Sequence, residues 1–138
     1  MLEYAYTPAI ELRRAIAARE VSPVEVMRQC LERAHALEPQ LNCFVTLTPE
    51  EALGAAARAE KAVMAGEPLG ALHGIPVSVK DLIAMGGIKQ TFGSRTMASN
   101  IAATDVPPPW SGSRRRVPAS SAKQRPLNSA ARAAARRR

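Results

Sequence analysis

Apolar positions recur at helical spacing through the first half of the chain. The clearest case follows Ser22-Pro23-Val24-Glu25, a capping box with proline at the first helical position. Apolar side chains then return every three or four residues, at Val24, Met27, Leu31, Ala34 and Leu37. The pattern predicts an amphipathic helix that begins after Ser22 and ends at Pro39.

Two further helices are predicted by similar starts. Thr7-Pro8 places an N-cap residue before a proline, and Thr48-Pro49 repeats this arrangement ahead of an Ala-rich segment. Gly66 is suited to close the Ala-rich helix, because glycine readily adopts the left-handed conformation that follows many helix ends.

Short apolar runs predict two strands, at residues 41–47 and at residues 75–79. Both contain β-branched residues, which suit a covered pleated surface. Thr91, Gly93 and Ser94 follow in a glycine-containing loop. Such a loop can shape its backbone around a ligand, although a plain turn would have the same sequence.

Charge divides the chain into two parts. The net charge of the 138 residues is +7, but residues 1–105 contain ten Lys or Arg and twelve Asp or Glu, a net −2. Residues 106–138 contain nine Lys or Arg and no acid, a net +9, and they begin with a run of prolines. Their composition cannot bury enough apolar surface to offset chain entropy. We therefore expect a folded part at residues 1–105 and a Pro/Arg-rich disordered tail at residues 106–138.

Cysteine usage and hydropathy narrow the function classes. Cys30 and Cys43 form neither a C-x-x-C pair nor part of a His/Cys cluster, so we expect two small core residues, no metal site and no cofactor. Lone thiols suit a reducing, cytoplasmic location. No apolar run approaches the length of a membrane span, and the N-terminus has no signal pattern, so no membrane association is expected.

Lys80 is the candidate for chemistry. It follows the apolar run at residues 75–79 and precedes Asp81. A lysine held there against apolar surroundings would favour its neutral amine, which can act as a base. A solvated Lys80–Asp81 pair that closes an ordinary strand would have the same sequence. The residues alone leave both interpretations open.

Four segments share the pattern of one family. The most specific is Gly70-Ala71-Leu72-His73-Gly74-Ile75-Pro76-Val77-Ser78-Val79-Lys80-Asp81. The others are Glu20-Val21-Ser22-Pro23-Val24-Glu25, Leu41-Asn42-Cys43-Phe44-Val45 and Thr91-Phe92-Gly93-Ser94. From about Thr7 to Asp105 the chain resembles the N-terminal part of the amidase signature family, which includes bacterial amidases and the A subunit of glutamyl-tRNA(Gln) amidotransferase. The resemblance implies an α/β fold with a mixed sheet covered by helices, of which this chain supplies the opening helices and the first short strands.

For the reaction, the resemblance implies a Ser–cis-Ser–Lys triad that cleaves non-peptide C–N bonds of small-molecule amides. Lys80 would be the base, acting through a bridging serine on a nucleophilic serine. The sequence has no Gly-Gly-Ser-Ser-Gly-like loop to supply those serines. We therefore expect an inactive truncated form, with substrate-binding residues unknown. An amidotransferase role would also require partner subunits.

The tail is compatible with a shifted reading frame. If each codon is read one base late, residues 121–130 can come from DNA that encodes Gly-Lys-Thr-Thr-Ser-Pro-Glu-Phe-Gly. Residues 109–113 can likewise come from DNA that encodes Val-Glu-Arg-Leu. Both strings resemble segments that the amidase family carries after its lysine. We hypothesise a frameshift near residues 106–109, which the genomic DNA across codons 100–115 would test.

Two other functions stay open. The chain could be a non-catalytic remnant that docks on a partner through its amphipathic helices. It could instead be a small basic protein that binds nucleic acid through residues 106–138. Nine positive charges would bind phosphate non-specifically, with a steep salt dependence. The tail has one aromatic residue, Trp110, and no base-reading scaffold, so an evolved nucleic-acid function is not expected.

Overall fold

The computed structural model describes residues 4–105 and 121–124. Its elements in chain order are a 3₁₀ turn at Tyr4–Tyr6, helix α1 at Ala9–Ala17, helix α2 at Pro23–Leu41, strand β1 at Phe44–Leu47, helix α3 at Pro49–Met64, strand β2 at Val77–Lys80 and strand β3 at Ser121–Gln124. The three predicted helices and both predicted strands are present, although their ends differ in places from the predicted ends.

Helix α2 begins where the sequence predicts. The hydroxyl oxygen of Ser22 accepts hydrogen bonds from the backbone amides of Val24 at 3.1 Å and Glu25 at 3.3 Å. Pro23 occupies the first helical position, where its missing N–H costs nothing. The same hydroxyl donates to the carboxylate of Glu60 on α3 at 2.5 Å. Ser22 therefore caps one helix and ties it to another.

Helix α1 begins one residue later than predicted. Pro8 rather than Thr7 is its N-cap residue, and no side chain caps the helix. The carbonyl of Pro8 accepts the first helical bonds from the amides of Glu11 and Leu12, each at 3.0 Å. Proline has no side-chain oxygen to accept the amides of the first turn, so α1 lacks the side-chain cap that Ser22 gives α2.

Helix α2 continues past Pro39, where the prediction ended it. Pro39 lies in the last turn, so its missing N–H removes a helical bond only near the end. Asn42 provides the stop, because it adopts the left-handed conformation (φ 49°, ψ 45°) and donates its amide to the carbonyl of Glu38 at 2.7 Å. The Glu38 carboxylate then accepts the amides of Cys43 and Phe44, which fixes the start of β1.

Helix α3 ends as predicted. Gly66 has a φ of +70° and follows the C-cap residue Ala65. The amide of Gly66 donates to the carbonyl of Val63, and the amide of Glu67 donates to the carbonyl of Ala62. This pair of bonds is the Schellman arrangement, which a left-handed glycine allows.

The apolar core lies among the helices. One buried cluster joins the N-terminal turn to all three helices and consists of Tyr4, Leu12, Ile16, Val26 and Val63. A second joins α2 to α3 and consists of Met27, Ala52 and Ala56. The small side chains of α3 let it approach α2 closely, so few large side chains are needed to fill this layer.

The three strands form a mixed sheet in the order β1–β3–β2. β3 pairs antiparallel with β1 and parallel with β2, where Lys80 lies opposite Gln124. β1 and β2 are therefore separated by the width of one strand. The mixed sheet agrees with the α/β fold that the resemblance implied.

Strand β3 at residues 121–124 is an element that the sequence does not predict. The sequence expectation relied on the lack of apolar periodicity, whereas β3 is held by backbone hydrogen bonds to two neighbouring strands, which depend little on side-chain hydrophobicity. Residues 106–120 and 125–138 lie outside the described residues. For them the disorder, the domain boundary after residue 105 and the frameshift stay predictions.

Candidate functional site

The loop that leads into β2 packs tightly against the helices. A Cβ atom added to Gly74 would lie 3.1 Å from Cγ of Pro23 and 3.2 Å from Cδ1 of Ile16. Gly74 also has a φ of +75°, which a side chain would strain. Next to it, Nε2 of His73 lies 2.8 Å from the carbonyl oxygen of Ala59 on α3. This glycine and this histidine fix where β2 begins.

Arg13 of α1 provides a second anchor for the same loop. Its Nε donates to the carbonyl of Gly70 at 3.0 Å, and its Nη2 donates to the carbonyl of Leu69 at 3.4 Å. Both carbonyls precede the Gly-Ile-Pro segment. All three helices therefore contact the loop that leads into β2.

β2 ends at Lys80, the candidate base. Val79 is 3% exposed, whereas the side chain of Lys80 is exposed, because successive strand residues face opposite sides of a sheet. The carbonyl of Lys80 accepts the amide of Ile83 at 2.9 Å, so the chain turns directly after the strand. The amine of Lys80 lies at the carboxyl end of β2 and is open to solvent in the part of the chain that the structure describes.

Asp81, the next residue, is fully buried at 0% exposure. Its Oδ1 accepts the amide of Thr91 at 3.0 Å, and its Oδ2 accepts the Thr91 hydroxyl at 2.7 Å and the amide of Gly93 at 3.3 Å. A buried carboxylate needs such donors, because an uncompensated charge away from water is costly. Asp81 therefore fastens residues 91–93 to the position that directly follows Lys80.

Residues 91–94 form a tight turn, closed by a 2.8 Å hydrogen bond from the amide of Ser94 to the carbonyl of Thr91. Both central residues have positive φ, 51° at Phe92 and 70° at Gly93. This is the signature of a type I′ turn, whose central positions favour Asn, Asp and Gly. Gly93 suits its position, whereas a bulky residue such as Phe92 is strained there. The Phe92 side chain is 48% exposed.

A buried amide braces the segments on either side of this turn. Gln90 is 6% exposed, and its Nε2 donates to the carbonyl of Leu82 at 3.3 Å. The backbone carbonyl of Gln90 accepts a hydrogen bond from Nδ2 of Asn100 at 2.9 Å, and the backbone amide of Gln90 donates to the Asn100 carbonyl at 3.0 Å. Lys89 and Ile101 add an antiparallel bridge. The turn at residues 91–94 therefore projects from two segments that are bonded to each other.

The structure corrects both interpretations of the Lys80–Asp81 pair. The interpretation as a solvated pair is wrong for Asp81, because this residue is buried and bonded to residues 91–93. The apolar surroundings expected for Lys80 are not found within the described residues, where its side chain is exposed. The role of Lys80 as a base stays a prediction. Sequence reasoning missed the function of Asp81, and the available signal was an acid after a strand with Thr-x-Gly ten residues later.

Cys30 and Cys43 are thiols rather than a disulfide, and both are half-buried. Cys30 packs against the cluster that joins α1, α2 and α3, which agrees with the predicted core role. Burial raises the pKa of the Cys30 thiol, and the nearby Arg33 guanidinium opposes this shift to a smaller extent. Since the thiolate is the reactive form, Cys30 is a poor nucleophile near neutral pH.

Residues 4–105 and 121–124 contain no group of three or more His, Cys, Asp or Glu side chains placed to hold a metal ion. No helix among the same residues has the length and apolar character needed to cross a membrane.

Comparison with known proteins gives one consistent result. The sequence model of the amidase family matches residues 25–106, which include β2, Lys80 and the turn at residues 91–94. The chain is 42% identical over 98 residues to the A subunit of the glutamyl-tRNA(Gln) amidotransferase of Chloroflexus aggregans, which covers 71% of this chain and 20% of that protein. It is 38% identical over 94 residues to an acylamidase of Rhodococcus erythropolis, which covers 68% of this chain and 20% of that protein.

A solved structure shows the same partial coverage. The fold resembles that of the peptide amidase from Stenotrophomonas maltophilia with a TM-score of 0.72 and 27% sequence identity. The similarity covers 88% of this chain and 24% of the peptide amidase. The chain thus spans about a fifth of the length of the relatives that it matches in sequence.

Proposed function

Because the chain belongs to the amidase signature family, we propose that it is the lysine-bearing part of an amidase-type hydrolase that acts on non-peptide C–N bonds. In this proposal Lys80 is the general base. The support is the position of Lys80, an amine at the carboxyl end of β2 within the G-I-P-V-x-V-K-D segment, with the turn at residues 91–94 fastened to the next residue, Asp81.

The proposed reaction uses Lys80 to move protons. Its neutral amine takes a proton from a bridging serine, which takes the proton of a nucleophilic serine, whose oxygen attacks the amide carbonyl carbon. When the C–N bond breaks, the departing nitrogen receives that proton and leaves as ammonia or an amine, and the acyl group stays on the serine as an ester. Water then attacks the ester with the same assistance and releases the acid. A serine hydroxyl is a weak nucleophile, so it needs such a base.

Lys80 can act as this base only when further polypeptide covers its amine and supplies the two serines. A lysine favours its neutral form when it is covered, because desolvation disfavours the ammonium ion. Within the described residues its side chain is exposed, and the 138-residue sequence has no Gly-Gly-Ser-Ser-Gly-like loop. We therefore propose that this chain by itself hydrolyses no amide. The frameshift hypothesis explains the missing serines.

The similarity to the A subunit of a glutamyl-tRNA(Gln) amidotransferase supports a second form of the same proposal. In it the lysine-bearing fold acts beside partner subunits. A free-standing amidase and an amidotransferase component would use Lys80 in the same way, and a cytoplasmic location suits both. They would differ in whether activity needs those partners.

A chimeric enzyme tests the role of Lys80. Residues 1–105 would replace the matching N-terminal fifth of the Rhodococcus acylamidase, so that the serines come from the relative. We expect amide hydrolysis that falls to background in Lys80→Ala and Lys80→Arg, since an arginine stays protonated. Lys61→Ala, a change of an exposed lysine on α3, is the matched control and should retain activity. A Lys80→Ala chimera as active as its parent would contradict the proposal.

The other classes of function have simple tests. Salt-sensitive DNA binding by the full chain that disappears on deletion of residues 106–138 would support the basic-protein alternative. If the parent chimera, which retains Lys80, hydrolyses no amide and the full chain binds no DNA, the remaining alternative is the non-catalytic remnant.

A further inference from the structure

The turn at residues 91–94 has an unfavourable residue at its most prominent position. A type I′ turn places φ > 0 at both central residues, and Asn or Gly adopts this conformation with little strain. Phe92 adopts it with backbone strain, because its side chain crowds the left-handed conformation. Phe92 is 48% exposed, so only about half of the residue is covered in this conformation.

Asp81 holds this strained conformation in place. The amides of Thr91 and Gly93, one on each side of Phe92, donate to the same carboxylate at 3.0 and 3.3 Å. The Thr91 hydroxyl adds a third bond at 2.7 Å. A strained residue persists where the surrounding bonds over-determine its backbone, and such residues concentrate at functional sites.

The strained residue is linked to the candidate base through Asp81. Lys80 directly precedes Asp81, whose carboxylate accepts the amides of both neighbours of Phe92, so two residues and one hydrogen bond connect the two positions. Both Lys80 and Phe92 are exposed. An exposed aromatic ring offers a large apolar face at low cost in side-chain entropy.

We propose that Phe92 is a substrate-contact residue and that Asp81 is the positioning residue that presents it. The ring of Phe92 packs against the aryl or bulky apolar group of an amide whose carbonyl faces Lys80. The orientation of the amide toward Lys80 rests on the proposed function. The apolar contact with Phe92 does not.

The test compares two small amides on the full 138-residue chain labelled with ¹⁵N. Benzamide carries an aryl group, and acetamide is the matched probe without one. We expect benzamide to shift the amide signals of residues 91–94, and acetamide at the same concentration to leave them unchanged. Equal responses to the two probes, or no response to benzamide, would overturn the proposal.

A variant at Phe92 separates a binding role from a structural one. Phe92→Asn removes the ring and suits the left-handed backbone. We expect the apparent Kd for benzamide to weaken about tenfold, while hydrogen-exchange protection of the Thr91 and Gly93 amides rises about fivefold as strain is relieved. A structural side chain would lose protection together with binding. Unchanged benzamide affinity in Phe92→Asn would contradict the substrate contact.

Asp81→Asn tests the positioning role, because the amide has nearly the same shape and no charge. The signals of Thr91 and Gly93 should move upfield, and benzamide binding should weaken although Phe92 is intact. If this variant does not fold, Thr91→Val removes the hydroxyl that donates to Asp81 and accepts the Gly93 amide, leaves the Thr91 amide bonded to Asp81, and should give the same changes to a smaller degree. Benzamide affinity equal to the parent's in a folded Asp81→Asn or Thr91→Val chain would contradict positioning. Amide hydrolysis by the chimera, which tests Lys80 as the base, is a separate measurement, so either proposal can fail without the other.

Discussion

Asp81 and Thr91, ten residues apart in the chain, are joined through both the side chain and the backbone of the threonine. The hydroxyl of Thr91 donates to the buried carboxylate at 2.7 Å, and its amide donates at 3.0 Å. Asp81→Ala removes the acceptor of the Thr91 hydroxyl and amide and one of two acceptors of the Gly93 amide, and we expect the free energy of unfolding to fall by about 3 kcal/mol. Thr91→Val removes one bond to a charged group and should cost about 1.5 kcal/mol. Urea unfolding followed by circular dichroism measures both.

Thr96→Val is the matched control for this pair. The Thr96 hydroxyl lies 2.8 Å from the hydroxyl of Ser94 in an exposed position, so its loss should change the free energy of unfolding by less than about 0.5 kcal/mol. If Thr91→Val and Thr96→Val cost the same, the buried carboxylate does not stabilise the turn.

A methyl group at Gly74 should destabilise the fold. The added Cβ would lie 3.1 Å from Pro23 and would force the left-handed backbone on an alanine. We expect Gly74→Ala to lower the free energy of unfolding by about 2–3 kcal/mol. Gly70→Ala is the control, because no heavy atom lies within 4 Å of its added Cβ. It should be neutral or stabilising by about 0.5 kcal/mol, and equal losses in both variants would contradict the close packing at Gly74.

Removal of the Ser22 hydroxyl should weaken the start of α2 and its bond to α3. Ser22→Ala loses the cap of Val24 and Glu25 and the bond to Glu60, and should cost about 1–2 kcal/mol of unfolding free energy. Ser22→Thr keeps a hydroxyl and should recover most of that loss. The same urea experiment applies, and a threonine variant as weak as the alanine variant would argue against a capping role.

Cys30 should ionise at higher pH than an ordinary thiol. Burial raises its pKa above the usual 9.0, so the stability contributed by the protonated thiol is complete below about pH 9 and is lost as the pH rises through the higher folded value. Alkylation of the Cys43→Ser variant by iodoacetamide should speed up about tenfold per pH unit from pH 7 and level off only above pH 9, because the rate follows the thiolate fraction. A midpoint at or below 9.0 in the folded chain would contradict this prediction.

Lys80→Ala in the chain as it stands should change stability little. The side chain is exposed, and a surface substitution away from a bonded network usually changes the unfolding free energy by less than about 0.5 kcal/mol. A large loss in urea would show that Lys80 supports the fold, and it would weaken the argument that this lysine is kept for chemistry.

Local signals predict the helical part of the fold well. A cap residue and a proline act within a few residues of each other, so Ser22 and Gly66 can be assigned correctly from the sequence. The stop predicted at Pro39 is wrong because the cost of a proline depends on how much helix follows it. In α2 almost none does, and Asn42 ends the helix.

The site is less predictable, since the hydrogen bonds from residues 91–93 to the Asp81 carboxylate depend on where two segments meet in space. Lys80 can be singled out from its segment alone. Asp81 can be given its role only when residues 91–93 are found against it. β3 escapes prediction for the same reason, because its pairing depends on strands far away in the chain.

The strand order β1–β3–β2 also sets a time order for synthesis, because the middle strand is made last. While the ribosome has yet to reach residue 121, β1 and β2 have both been made and neither has its neighbour. The helices pack through contacts nearer in sequence and can assemble during this interval, as proteins with local contacts fold fastest. The nascent chain therefore passes through a stage with a formed helical layer and two unpaired strands, the stage at which chaperones and aggregation compete for it.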